Sequence, residues 1–192
     1  MIVKICGVTT ADDAHAAVDA GANAIGFNFY AASPRYIDPE KAAAIMEALP
    51  AGVLKVGIFV DHVLPVEGLD VAQLYGTARW SGRFWRAVRA GEGFQADAVA
   101  DEGEDALVVD APHPALHGGT GQTFDWRLAR SARRRIVLAG GLDETNVREA
   151  IETARPWGVD ACSRLERAPG LKDHRRVRAF VQAALAAAPA TI

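Results

Sequence analysis

"IVKICGVTTADDAHAAVDAG", residues 2–21, is the stretch on which the fold turns: an apolar run, a glycine, two threonines and then a segment with helical spacing. Thr9 or Thr10 can cap a helix whose small apolar stripe, Ala14, Ala17 and Val18, stops at Gly21. The same unit returns along the chain. "AIGFNF" precedes "DPEKAAAIMEAL", "RIVLAG" precedes "DETNVREAIETA", and "GVDAC" precedes "KDHRRVRAFVQAALAAA". Between them lie further apolar runs, "LKVGIFV", "VAQLY", "FWRAV" and "ALVVD". Several are apolar on both faces, as strands of a parallel sheet covered by helices must be. Asp38 before Pro39 sets a capping residue ahead of proline at a first helical position.

Alternation of this kind predicts an α/β fold. About eight strands point to a (β/α)8 TIM barrel over residues 1–192 as one domain; an open doubly wound sheet competes, and the strand count favours the barrel. Two connections are short for that plan. "GTARWSGR", Gly76 to Arg83, falls below the dozen residues of a normal parallel crossover, and "DHVLPVEGLD" before it is barely longer and carries Pro65. Helices 3 and 4 are therefore expected to be shortened or missing. Trp80, Phe84 and Trp85 lie near the resulting gap, where they should patch it or form a dimer contact.

With 192 residues, a net charge of −3 and both signs mixed, the chain shows no basic stripe for nucleic acid. The runs "SARRR" and "DHRRVR" read as solvated helix surface. No stretch approaches the roughly 18–20 apolar residues of a membrane span, and "MIVKIC" lacks the layout of a signal peptide. A cytoplasmic protein without membrane partners is expected. Two cysteines are too few for a disulfide framework and suit a reducing compartment, although the sequence leaves a bridge between Cys6 and Cys162 open.

In a barrel, chemistry sits at the C-terminal ends of the strands. Cys6 closes the first strand, and Gly7 removes a side chain that would crowd its thiol; packing alone would also account for a buried cysteine. "HGGTGQTFDW", His117 to Trp126, reads as a loop that delivers Asp125, which could instead simply cap a helix "WRLARSA". Arg35, after Pro34 in the loop behind strand two, suits a planar paired contact with a carboxylate, or a plain surface role. Gly140-Gly141 ends the seventh strand before a helix beginning near Asp143, a place where freed backbone NH groups can hold phosphate. The histidines are scattered, His113 and His117 included, so no metal is implied. "GGTG" fits no nucleotide fingerprint, and no cofactor is expected.

These segments, in this order, resemble the phosphoribosylanthranilate isomerase family of tryptophan biosynthesis. The likeness rests on "KICGVT" (4–9), "GFNFYAASPRYI" (26–37), "KVGIFV" (55–60), "QLYG" (73–76), "GGTGQTFDW" (118–126), "LAGGL" (138–142) and "PGLKD" (169–173). The resemblance implies a TIM barrel catalysing an Amadori rearrangement by general acid-base chemistry. It implies Cys6 as the base and Asp125 as the acid. Arg35 would bind the anthranilate carboxylate, and Gly140, Gly141, Ser163 and Arg164 the phosphate of a small phosphorylated substrate. A monomer or homodimer would suffice. Cys162-Ser163-Arg164 stands where the family pattern reads Ser-Ser-Gly, and Tyr75 where a histidine is usual. Those departures motivate an alternative, a degenerate homologue that binds a phosphorylated ligand or a partner without turnover. A neighbouring sugar-phosphate isomerase or epimerase is a third reading.

Overall fold

Strands apolar on both faces need cover on both, and this chain supplies it by closing the sheet into a barrel beneath an outer layer. In the computed structural model, which describes residues 1–111, 123–130 and 132–189, eight parallel strands form a closed barrel in chain order. They are β1 (Ile2–Ile5), β2 (Ala24–Asn28), β3 (Leu54–Val60), β4 (Val71–Tyr75), β5 (Phe84–Arg89), β6 (Ala106–Asp110), β7 (Ile136–Leu138) and β8 (Gly158–Ala161). Closure comes from β8 against β1, with Ile2 opposite Gly158 and Ile5 opposite Ala161. A two-stranded hairpin, β9 (Glu166–Ala168) and β10 (Leu171–Lys172), follows the last barrel strand. The stretch read as a glycine-rich loop, 117–122, lies outside the described residues, as do His113 and His117.

Four α-helices are present among the described residues: α1 (Ala11–Asp19), α2 (Pro39–Glu47), α3 (Val147–Ala154) and α4 (His174–Ala187). Of the two threonines, Thr10 is the cap of α1, accepting from the Asp13 NH, and Asp38 caps α2 ahead of Pro39. The helices follow β1, β2, β7 and β8, so they clad one contiguous half of the barrel, and α4 packs against both α1 and α3.

The expected loss of helices 3 and 4 is seen, and it extends further: single 3-10 turns, Ala96–Ala98 and Trp126–Ala129, are all the described helix that follows β5 and β6. "WRLARSA" therefore does not make the helix its composition suggested. The segment is tied down before it can continue, because the Arg133 NH donates to Asp97 and the Arg134 guanidinium to the Val99 carbonyl. From there the chain must enter β7.

On the half where the described residues form no α-helix, outward side chains do the covering. Trp80 stacks on Phe59 with ring centroids 6.3 Å apart, and the Arg86 guanidinium lies over the Phe84 ring. Arg86 also donates to the Ala78 carbonyl and to Glu102, which pins the short β4–β5 connection. Trp80 and Phe84 thus patch the gap, but Trp85 does not. One residue along the strand reverses the face, so Trp85 points into the lumen, buried among Ala24, Val56, Val108 and Val137 and edge-on to Trp157 at 5.9 Å.

Candidate active site

The same alternation sends polar side chains inward near the C-terminal ends of the strands. Lys4, Gln73, Asp110 and Asp160 are all buried, against a general tendency that makes such residues rare inside. Lys4 Nζ meets Asp160 Oδ2 at 2.7 Å. Burial disfavours the ammonium, but the neighbouring Asp160 carboxylate and Cys6 thiol outweigh it and hold Lys4 above its ordinary range. Above this layer opens a pocket lined by residues from both halves of the barrel, including Cys6, Asn28, Arg35, Tyr75, Gly140 and Ser163.

Cys6 and Cys162 both line that pocket as free thiols; no bridge joins them. The Cys6 backbone NH donates to the Ala161 carbonyl at 2.9 Å, which continues the β1–β8 ladder by one step. Hydrogen bonding to Cys162 and burial push the Cys6 thiol well above its usual value, with Lys4 opposing. Cys162 moves the other way, down to about 7, through its interaction with Cys6 and because it faces Lys172 and Arg35. Lys172 Nζ lies 3.8 Å from the Cys162 sulfur and 2.9 Å from Glu166 Oε1. Gly7, with φ +68°, serves this cluster somewhat differently from the sequence reading: a Cβ there would stand 2.7 Å from Arg35 Cδ and 3.0 Å from the Cys162 sulfur.

Arg35 is not a surface arginine. Its Nε and Nη2 each donate to Glu166 at 2.8 Å, a two-point contact between the β2 loop and the β9 hairpin. Two of its five N–H groups are engaged there, which leaves an edge of the guanidinium for a second planar anion. Gly140, Gly141, Ser163 and Arg164 also reach the pocket together, from the ends of β7 and β8. At Gly140 (φ +84°) a Cβ would come within 2.6 Å of the Ala111 backbone nitrogen, so only glycine fits. Arg164 Nη1 pairs with Asp143 Oδ2 at 2.8 Å and ties the two loops at the mouth. The helix expected near Asp143 begins later, with Asn146 as its cap position, because Asp143 is taken up in a turn with Thr145.

Asp125 is the candidate that the structure does not bring to the others. It is exposed, caps the Trp126–Ala129 turn and is paired in two places with the Arg127 guanidinium, whose hydrogen bonds hold its carboxyl below the usual range. It is not among the pocket-lining residues. Asp110 is. Burial pushes the Asp110 carboxyl up to about 6, opposed by its hydrogen bond from the Ala111 NH. Tyr75 forms another wall, its hydroxyl accepting from Gln73 at 3.1 Å.

A family model described as N-(5'phosphoribosyl)anthranilate (PRA) isomerase matches residues 3–183. The chain belongs to that isomerase family. The N-(5'-phosphoribosyl)anthranilate isomerase of Solibacter usitatus is 46% identical over 199 residues, covering 97% of this chain and 98% of its own. The crystal structure of phosphoribosyl anthranilate isomerase from Thermus thermophilus superposes with a TM-score of 0.83 at 33% identity, over 97% of this chain and 99% of that one. A second isomerase structure, solved with reduced 1-(o-carboxyphenylamino)-1-deoxyribulose 5-phosphate, superposes with a TM-score of 0.78 at 32% identity, over 97% of this chain and 100% of its own.

Within this isomerase barrel, the sequence reading overlooked Lys4, Asp110, Asp160, Glu166 and Lys172. A signal existed for the first three: each is a charged residue in an otherwise apolar strand, at a position whose parity faces the lumen. No such pattern marks Glu166 and Lys172, whose partners lie across a hairpin and, for Arg35, 131 residues away.

Proposed function

We propose that this isomerase converts N-(5-phosphoribosyl)anthranilate to 1-(2-carboxyphenylamino)-1-deoxyribulose 5-phosphate, in the tryptophan pathway, with Cys6 removing the proton from C2 of the ring-opened Schiff base. The carrying observation is the convergence on one pocket of a thiol, a partly engaged arginine, the glycine-bearing loop after β7 and the Ser163-Arg164 loop after β8. Arg35 receives the anthranilate carboxylate on the edge not used by Glu166. Gly140, Gly141, Ser163 and Arg164 receive the phosphate at the ends of β7 and β8. The enolamine left after proton removal tautomerises to the ketone. Unbridged thiols support a reducing, cytoplasmic setting, for a monomer or homodimer.

Opening the ribose ring needs a proton donor. Support for Asp125 in that role is the resemblance of its motif; to act, it must part from Arg127 and enter the pocket. One observation favours a second donor: Asp110 already lines the pocket and, with a pKa of about 6, holds a transferable proton near neutral pH.

Turnover of freshly generated substrate, followed by loss of anthranilate fluorescence, tests the reading. No turnover by the folded protein overturns it in favour of a ligand-binding homologue. Arg35→Ala removes a charge-assisted contact, so KM should rise by about 10–100-fold with a smaller change in kcat. An unchanged KM would place the carboxylate elsewhere.

The thiol pair sets a pH dependence. A base must be deprotonated, and the hydrogen bond to Cys162 is the largest influence keeping the proton on Cys6. Activity should therefore rise with pH into a range above that of an ordinary thiol. In Cys162→Ala that acceptor is gone, Cys6 ionises more readily, and the rising limb of kcat/KM moves to lower pH. A limb that stays in place or moves up would show that the pairing does not govern the base.

A further inference from the structure

We propose that Cys6 and Cys162 are a redox pair, joined by a reversible intramolecular disulfide when a peroxide enters the pocket, and that this bond switches the isomerase off. The strand ladder sets the distance. Ile5 is paired with Ala161, the Cys6 NH continues the ladder to the Ala161 carbonyl at 2.9 Å, and the next facing positions are the two cysteines. Neighbouring strands lie about 4.7–4.9 Å apart, inside the Cα separation of roughly 4.4–6.8 Å that a disulfide spans. Both side chains face the same pocket. Neither cysteine is fully buried, and the shared pocket gives a small oxidant a route to both.

The surroundings also decide which sulfur reacts first. Lys172 Nζ stands 3.8 Å from the Cys162 sulfur, and the resulting thiolate character makes Cys162 the nucleophile. Its sulfur attacks one oxygen of the peroxide; the O–O bond breaks, Cys162 becomes a sulfenic acid, and the departing hydroxide takes a proton to leave as water. Cys6 sulfur then attacks Cys162 sulfur. The S–S bond forms as the S–O bond breaks, and the second hydroxide leaves as water with the proton released by Cys6. The two sulfurs together are oxidised by two electrons and the peroxide is reduced to two waters. A dithiol reductant reverses the bond by exchange. The switching-off rests on Cys6 being the base, since a sulfur held in a disulfide no longer accepts a proton; the bond itself does not.

The test adds hydrogen peroxide to the purified, reduced protein, unfolds it in an alkylating agent and maps the peptides by mass. The expected result is a linked pair of peptides carrying Cys6 and Cys162, with an intact mass lower by two hydrogen atoms, and recovery of both thiols and of turnover after reductant. Two alkylated cysteines, higher oxidation without a link, or links only between separate chains would overturn the pair. Cys162→Ser should lose the link and the reductant-reversible part of the inactivation; full reversibility in that variant would overturn it as well. Because the link is read by mass, the two readings separate. A linked protein with full turnover overturns the switch and the base assignment together, whereas reversible inactivation without a link overturns the disulfide alone.

Discussion

Serine in place of Cys6 should slow turnover of phosphoribosylanthranilate by about 10²–10⁴-fold, the usual contribution of one general acid-base group. The substitution keeps the side chain's shape and hydrogen-bonding capacity but replaces a thiol by a hydroxyl far too weak an acid to be ionised in the working range. KM should change little, because Arg35 and the phosphate loops are left intact. Thermal unfolding run beside the assay separates a catalytic loss from a folding one. A folded Cys6→Ser protein that keeps activity within a few-fold of wild type would remove Cys6 from the base role and leave Cys162, the more acidic thiol of the pair, to take it. The acid is found in the same experiment. Asp125→Asn and Asp110→Asn remove the two candidate donors, and the one with the larger fall in kcat identifies the group that opens the ring.

The second large effect concerns stability. Lys4→Met should destabilise the barrel by about 3–5 kcal/mol, since it leaves Asp160 buried without its cation. Against a total of about 5–15 kcal/mol for a typical domain, that is a large share. Its pH dependence has a definite sign. Burial raises the Asp160 pKa, and Lys4 is the chief opponent of that rise. Without Lys4 the folded-state value climbs further above the unfolded one, so the folded state binds the extra proton. Stability is then lost as pH rises from the unfolded pKa toward the folded one, and the variant should look worst at alkaline pH. Replacing both partners, Lys4→Met with Asp160→Leu, should recover much of the loss. Urea midpoints decide it: a single variant within about 1 kcal/mol of wild type would mean that the pair contributes little.

How much of this was legible in the sequence depended on the range of the interaction. Thr10, Asp38 and Pro39 mark helix starts through contacts with their immediate neighbours, and those starts are where the sequence places them. Gly140, Gly141, Ser163 and Arg164 could be assigned to one rim because a barrel brings the ends of all its strands together. That the described residues after β6 form only a 3-10 turn was not legible, since "WRLARSA" has helical composition and is overruled by anchors on Asp97 and Val99, some 35 residues earlier. Nor was the occupation of Arg35 by Glu166, which depends on how the β9 hairpin folds back over the mouth. Asp125 shows the opposite difficulty. Its motif is plain, but a sequence does not reveal that the carboxylate rests on Arg127 two residues away.

The one-sided cladding of the barrel has a consequence for motion. Cys6, Cys162 and the phosphate-side loops hang from β1, β7 and β8, and Arg35 follows β2, all strands backed by helices. Gln73, Tyr75 and Asp110 come from β4 and β6, where, among the described residues, side chains and short turns stand in for α-helices. With no described α-helix after β3–β6, amide protons of those strands should exchange with solvent sooner than those of β7, β8, β1 and β2. Such fluctuations would loosen one wall while the thiols and the guanidinium keep their mutual geometry. The enzyme would then breathe along a seam that lets a bulky aromatic substrate in and its product out, and that leaves the proton-transfer apparatus assembled throughout.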